Sequence, residues 1–225
     1  MALQIFQDLP QGSSEWRQAR AGIVTASVVG KLITAKTLQP ALNDTARLLT
    51  RQLVAERITG IVEDTPTSSA MVRGTLDEPY ARDIYAEHYA PVTEVGFQVR
   101  ELPGVRIGFS PDGLVGDDGI IEIKSRQQKH QLETIFSGEV PGQYMAQIQC
   151  GLLVSGREWC DFVSYSGGLP LFVKRVKPDD AWQQAVVDAA ATFEDHAERM
   201  IAVFHDLSAG MPPTEYIDHF EEMDI

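Results

Sequence analysis

The stretch Gly108–Arg126, GFSPDGLVGDDGIIEIKSR, leaves the chain few ways to fold. Its Asp-Gly turn chemistry separates two short apolar runs, which read as a β-hairpin rather than a helix. In IIEIK the side chains alternate, so Glu122 and Lys124 share one face while Ile121 and Ile123 point to the other. Unpaired charge in apolar surroundings is expensive, so charges placed there are normally paired or bind metal. A hairpin carrying Asp112, Glu122 and Lys124 therefore demands an explanation.

Asp112 has two possible placements. If Asp117-Asp118-Gly119 form a three-residue loop with Gly119 left-handed, Gly116 faces Ile120. Asp112 then lies opposite Lys124 and diagonal to Glu122, all on one face. A two-residue Asp118-Gly119 turn sends Asp112 to the other face unless a bulge corrects it. Parity favours the longer loop if Asp112 and Glu122 act together. Two converging carboxylates repel, and a divalent cation makes both ionised forms favourable. Oxygen-only ligands point to Mg²⁺ or Mn²⁺ rather than zinc. A lysine two residues from the glutamate suits positioning or deprotonating a water, or stabilising a pentacovalent phosphate. The bland alternative is a solvated strand face on which Asp112 and Lys124 make a surface ion pair of little energetic consequence.

Around this hairpin the pattern predicts helix, then strand, then helix and strand again. Ser14 is the expected cap of a short helix in EWRQARAG that Gly22 ends, and Ser27 of a second helix through about Leu32. Pro40 to Gly60 reads as a helix with Leu42, Ala46, Leu49 and Leu53 at helical spacing. IVEDTPTSS reads as a loop. A helix around Glu78 is expected to carry Tyr80, Ile84, Tyr85 and Tyr89 on one side. VGFQVRE, VRIGFS and GIIEIKS are expected strands, followed by a helix in GQYMAQIQCGLLVS with Met145, Ile148 and Leu152 facing the core. EWCDFVSYS and LPLFVKRV read as two more strands around Gly167-Gly168. Pro178 opens a long amphipathic helix whose stripe runs Trp182, Val186, Ala189, Phe193, Ala197, Ile201 and Phe204. The tail GMPPTEYIDHFEEMDI is acidic and expected to be loosely held. The expected fold is α/β, a mixed central sheet flanked by helices. At 225 residues one compact unit is expected, with no dividing linker.

The formal net charge of −13 argues at first against nucleic acid, but its distribution is uneven. Residues 1–129 hold 14 Lys and Arg against 16 Asp and Glu, whereas residues 130–225 hold 5 against 16. A local basic channel in the first part remains compatible with DNA. No apolar run is long enough to span a bilayer and no basic signal start is present, so the expectation is a cytoplasmic protein without membrane association. Cys150 and Cys160 are too few for a zinc or iron–sulfur site and are expected to be buried thiols.

SPDG followed by EIK resembles the D…(D/E)xK core of the restriction-endonuclease-like nucleases. WRQARAGIVTAS (Trp16–Ser27), RGTLDEPYA (Arg73–Ala81), GFSPDG (Gly108–Gly113) and YMAQIQ (Tyr144–Gln149) narrow the resemblance. Together, in this order, they resemble the phage lambda exonuclease group of viral recombinases, the YqaJ-type family.

The resemblance implies Asp112, Glu122 and the Ile123 carbonyl as ligands of two Mg²⁺ ions per active site, with Mn²⁺ as a substitute, and Glu78 reaching the site from the side. It implies Lys124 as the catalytic lysine, with Gln147 supporting it and the attacking water. Arg20 and Ser27 match residues that hold a terminal 5′-phosphate, with Ser110 beside them, and a helix start capped by Ser27 suits an anion. Arg126 is a further candidate for contact with DNA, as are Lys129 and His130. The implied activity is a 5′-to-3′ exonuclease on linear double-stranded DNA that leaves a 3′ single strand. The implied assembly is a homotrimeric ring, with a single-strand annealing protein as partner. Each residue has a plainer reading: Glu78 as the end of a capping box from Thr75, Gln147 as a polar helix face, Arg20 as a cation comfortable near a helix end. His130 reads as a surface histidine, and the acidic stretch after Asp179 as a solvated helix face. Rival functions are a restriction-like endonuclease and an inactive DNA-binding module.

Overall fold

The computed structural model of the chain describes residues 2–7, 9, 11–63 and 68–217. In chain order, β1 (Ala2–Phe6) and α1 (Ser14–Ala19) lead to β2 (Val24–Thr25) and the four-residue α2 (Ala26–Val29). The short strands β3 (Ile33–Thr34) and β4 (Gln39–Pro40) precede helices α3 (Asp44–Thr59) and α4 (Ser69–His88). Strands β5 (Phe97–Leu102), β6 (Val105–Phe109), β7 (Gly113–Val115) and β8 (Gly119–Ser125) follow. Helices α5 (Gln128–Ser137) and α6 (Met145–Ser155), strands β9 (Trp159–Tyr165) and β10 (Phe172–Val176), and helix α7 (Asp180–Ser208) complete the order.

The expected α/β architecture with mixed pairing is present, but hydrogen bonding divides the strands between two four-stranded sheets. Their orders are β1-β5-β6-β2 and β10-β9-β8-β7, and β3 and β4 pair separately. In each larger sheet one pair is parallel, β2 with β6 and β8 with β9, and the others are antiparallel. Ser110, Pro111 and Asp112 carry the chain from one sheet to the other, and Pro111 has no N–H with which to extend a ladder. Two predicted site residues thus stand at the seam.

Period-two alternation in β8 holds. Ile120 packs with Phe109, Ile148, Leu152, Phe162, Val186 and Phe193 in the main core under α3, α6 and α7. Ile121 and Ile123 pack on the other face with Ala81 and Tyr85 of α4 and with Val163. Full burial of such a side chain contributes about 1.5–3 kcal/mol, enough to specify which face of β8 turns where. Cys150 and Cys160 are free and buried, as expected.

The hairpin loop has three residues, but they are Gly116, Asp117 and Asp118, because Val115 pairs with Gly119. Gly116, not Gly119, takes the left-handed conformation, with φ 54°. Gly119 serves packing instead: a Cβ there would lie 2.2 Å from the Trp159 ring. Continuing the ladder by one pair from Gly113 and Ile121 brings Asp112 level with Glu122 rather than Lys124. The shift is by an even number, so the shared face survives.

Other boundaries move. Ser13, not Ser14, caps α1, its hydroxyl accepting from Trp16 N–H. Ser27 lies inside α2 and caps nothing; Thr25 holds the cap position without a side-chain bond. Asn43 caps α3, so Pro40 and Leu42 precede that helix. Helix α4 starts at Ser69 under a Ser68 cap, so Thr75 and Glu78 are interior and form no capping box, and Pro79 lies within the helix. Tyr80 and Tyr89 are exposed; Tyr85 alone of the three tyrosines is buried. Met145 is half-buried and Phe204 exposed, so the core stripes of α6 and α7 are shorter than expected. Strand β1 and helix α5 were not foreseen; β1 is mostly exposed, and Gln127 holds the cap position of α5 without a side-chain bond. Residues 64–67 of the expected loop and 218–225 of the tail lie outside the described residues. Residues 211–217 have no regular structure and are exposed. Among the described residues no helix is long and apolar enough to cross a membrane.

Candidate active site

Strand β8 and the seam before β7 bring the two central carboxylates together, and both are buried: Asp112 is 9% exposed and Glu122 1%. A solvated strand face is thereby excluded. Ile123 N–H donates to Asp112 Oδ2 at 2.6 Å, which turns that carboxylate onto the edge of β8. Lys124 Nζ lies 2.5 Å from Glu122 Oε1, and Gln147 Nε2 of α6 donates to the same oxygen at 2.6 Å. Asp112 and Lys124 form no surface pair; the lysine's partner is Glu122.

Burial raises the Glu122 carboxyl to about 7, with repulsion from Asp112 and Glu78 adding to it and Lys124 opposing it. Burial likewise raises Asp112, against the pull of Lys124, the Ile123 N–H and Arg82. Burial alone would lower Lys124, but Glu122 and Asp112 outweigh it and hold the ammonium well above its ordinary range. Beside anionic carboxylates Lys124 is thus a cation rather than a base.

Glu78 lines the same cleft from α4 but is turned to Arg82, one helical turn on, at 2.5 Å. Arg82 also donates to the Asp112 carbonyl at 2.9 Å and lies 3.1 Å from Glu94. Burial raises Glu78 to about 7, Asp112 adding to the shift and Arg82 opposing it. Arg82 escaped the sequence reading, although its spacing of four from Glu78 on a helix was a usable signal.

The other end of the cleft is built by four segments. Arg20, at the C-cap of α1, donates to Ser110 Oγ at 3.2 Å and to Thr25 Oγ1 and Ser27 Oγ at 3.3 Å each. Its guanidinium lies 3.9 Å from the Trp16 ring centre and 5.6 Å from that of Phe97, and Trp16 Nε1 donates to Ser110 Oγ at 3.0 Å. Among the described residues these partners are hydroxyls and ring faces, and Arg20 forms no ion pair with a carboxylate. Burial pulls the guanidinium down to about 10, opposed by the charge of Glu56. A cation so placed is suited to an incoming anion. Thr25 and Trp16 belong to this pocket and were not assigned from the sequence, though both lie in the WRQARAGIVTAS stretch.

Arg20, Ser27 and Ser110 line one cleft of about 480 Å³ with Glu78, Asp112, Glu122, Ile123, Lys124 and Gln147. Arg126 does not join it. Its Nη1 donates to the Tyr144 hydroxyl at 2.8 Å, its Nε is buried without a hydrogen-bond partner among the described residues, and it lines a neighbouring groove with Arg73 and His130. His130 contacts Glu133 on the exposed side of α5.

Among the described residues no three His, Cys, Asp or Glu side chains are already gathered around one point as a ligand set. The chemistry of the donors nonetheless fits a hard divalent cation: buried oxygens whose charges repel and whose protonation is favoured without a counter-charge. Glu78, bonded to Arg82, would have to turn away from it to join such a set.

A family model of the YqaJ-like viral recombinase domain matches residues 15–158. The chain belongs to the YqaJ-like viral recombinase family. The match spans every site residue named above and ends just before β9, so β9, β10 and α7 lie beyond the matched viral recombinase span. Among solved structures, the alkaline exonuclease LHK-Exo from Laribacter hongkongensis is 36% identical, with a TM-score of 0.77 over 89% of this chain and 100% of that one. That enzyme is also known in complex with dAMP. A phage related exonuclease from Haemophilus somnus 129PT, 13% identical, shares the fold, with a TM-score of 0.62 over 81% of this chain and 96% of that one. No curated protein matches the sequence.

Proposed function

We propose that the chain is a divalent-metal-dependent exonuclease that degrades linear double-stranded DNA from 5′ ends and leaves a 3′ single strand for recombination. The coarser part, a nuclease, rests on the viral recombinase family and on the likeness to the Laribacter alkaline exonuclease. The finer part is carried by one observation. A half-buried arginine whose side-chain partners, among the described residues, are hydroxyls and aromatic rings opens into the same cleft as two buried carboxylates and a lysine.

A terminal 5′-phosphate carries more charge than an internal diester, so the Arg20 pocket favours ends over interior positions. An end held there offers its first phosphodiester to Asp112, Glu122 and Lys124. One or two Mg²⁺ or Mn²⁺ ions, bound by Asp112, Glu122, the Ile123 carbonyl and Glu78, would supply neutralising charge at the phosphate and acidity for a water. Lys124, kept cationic, stabilises negative charge on the phosphate oxygens. Gln147 fixes the Glu122 carboxylate through its amide. A nucleoside 5′-monophosphate is the expected product, in keeping with the dAMP complex of the Laribacter enzyme. A homotrimeric ring and an annealing partner belong to this reading through the family resemblance, and solution mass tests the first.

The deciding experiment is digestion of linear duplexes with 5′-phosphoryl or 5′-hydroxyl ends and of covalently closed circles, each with and without Mg²⁺. Metal-dependent release of mononucleotides from linear 5′-phosphorylated DNA is expected. Release from closed circles would favour a restriction-like endonuclease.

A further inference from the structure

One glycine anchors the loop that delivers Arg20. Gly22 N–H donates to Glu56 Oε2 at 2.8 Å, and its carbonyl accepts from Arg57 Nε at 2.7 Å. Both side chains come from adjacent positions near the end of α3. Arg57 directs the rest of its fork to Glu194 of α7, at 2.6 and 2.8 Å. Gln52 Nε2 donates to the other oxygen of Glu56 at 3.1 Å. Gly22 has φ 66°, and a Cβ there would lie 2.3 Å from Arg57 Cγ, so the arrangement closes only around a glycine.

Stability alone is a poor reason for this arrangement. Glu56 is 7% exposed and sits in the last turn of α3, where the helix dipole disfavours an anion. The ion pair of the cluster, Arg57 with Glu194, is only partly buried, and such pairs are often no more stabilising than apolar residues of the same volume. The hydrogen bonds of the cluster, however, restrict a backbone to one position. The backbone concerned is the Arg20 turn: Ile23 N–H donates to the Arg20 carbonyl at 3.1 Å, and the chain then enters β2 with Thr25. The Gly22 anchor therefore sets the guanidinium and the Thr25 hydroxyl relative to one another. Glu56 is also the anion that opposes the effect of burial on Arg20.

We propose that Glu56 and Arg57, braced by Glu194, are positioning residues that hold Arg20 for recognition of a terminal phosphate monoester. They do not contact the DNA; they act through the Gly22 backbone. The inference rests on Arg20 being the phosphate reader.

The test compares initial rates on 5′-phosphorylated and 5′-hydroxyl duplexes at fixed salt and Mg²⁺, for wild type, Arg20→Ala, Glu56→Ala, Arg57→Lys and Glu194→Gln. Melting temperature is recorded for each. Glu56→Ala is expected to lower the phosphate preference about tenfold through a higher KM on the phosphorylated duplex, with Arg57→Lys and Glu194→Gln showing smaller losses in the same direction. In an Arg20→Ala background Glu56→Ala should cause no further loss of preference, as expected for residues acting through one another. If Glu56→Ala does not fold, the Arg57→Lys and Glu194→Gln comparisons carry the same cycle. Folded clamp variants that keep the full preference, while Arg20→Ala loses it, overturn the positioning role and leave the phosphate reading intact. A wild type without any 5′-phosphate preference overturns both.

Discussion

The two ends of the cleft present opposite electrostatic problems. At the β8 end, Asp112 and Glu122 are buried close together, and Lys124 and Gln147 converge on a single Glu122 oxygen. At the Arg20 end, a cation is surrounded by three hydroxyls and two aromatic faces. One end has negative charge to spare and the other positive. The phosphate and divalent cation proposed above would satisfy both at once. The pairing of an anion-rich half with a cationic one, rather than either half alone, supports the proposed end-directed nuclease.

The sharpest way to break this comparison is at the carboxylate end. Asp112→Asn and Glu122→Gln are each expected to lower cleavage of linear duplex by a thousandfold or more, on the order of losing several kcal/mol of transition-state stabilisation. Near-normal Mg²⁺-dependent turnover in either variant would remove the metal assignment. Lys124→Ala comes next, with a loss of roughly 10²–10³-fold in kcat, the range for removing one group that stabilises developing charge. The stabilisation of the folded protein by Mg²⁺, read as a melting-temperature shift, should survive that change. Loss of the Mg²⁺ shift with normal kcat at saturating metal would make Lys124 structural.

The cation end predicts a smaller effect. Arg20→Ala is expected to lower the preference for 5′-phosphorylated over 5′-hydroxyl duplex by roughly ten- to a hundredfold, the range of charge-assisted hydrogen bonds. Measurements belong at one salt concentration, because phosphate contacts weaken as counterions compete. Retention of the full preference would detach the polarity of digestion from this pocket.

The smallest expected effect is on stability and needs no substrate. Glu78 and Glu122 stand at about 7 in the folded chain, above the ordinary 4.5. Between those values the folded state holds more protons than the unfolded state, so metal-free stability falls as pH rises from about 4.5 through 7. Thermal melts of the metal-free protein should show this slope, and Mg²⁺ should reduce it by stabilising the ionised carboxylates. Glu122→Gln should also shallow the slope. A metal-free protein that gains stability across this range would show that the carboxylates are not held against repulsion and burial.

Local pattern carried much of the site. Alternation in IIEIK sufficed to place Glu122 and Lys124 on one face, because strand side chains alternate whatever covers them. The hairpin loop length was legible, whereas its position was not: Gly119 is needed beneath Trp159, some forty residues away, so Gly116 takes the turn. Ser27 looked like a helix cap because serine before an apolar run usually is one, but a four-residue helix left it to face Arg20. Thr75 and Glu78 looked like a capping box at a helix start, yet the helix begins at Ser69. Helix α5 passed unnoticed because its side-chain signals at the start are weak.

By itself the sequence determined the mixed α/β composition, the apolar and charged faces of β8, and the ordered motifs that identify the viral recombinase family. Tertiary structure decided the rest. The burial of Asp112 and Glu122 depends on α4 and α6 covering the sheet, the partner of Glu78 on Arg82 bridging to the Asp112 carbonyl, and the Arg20 pocket on four segments meeting at the seam. Periodicity reports the direction a side chain takes from its own backbone. What it meets there, and hence its charge state and chemistry, is set by chain segments distant in sequence.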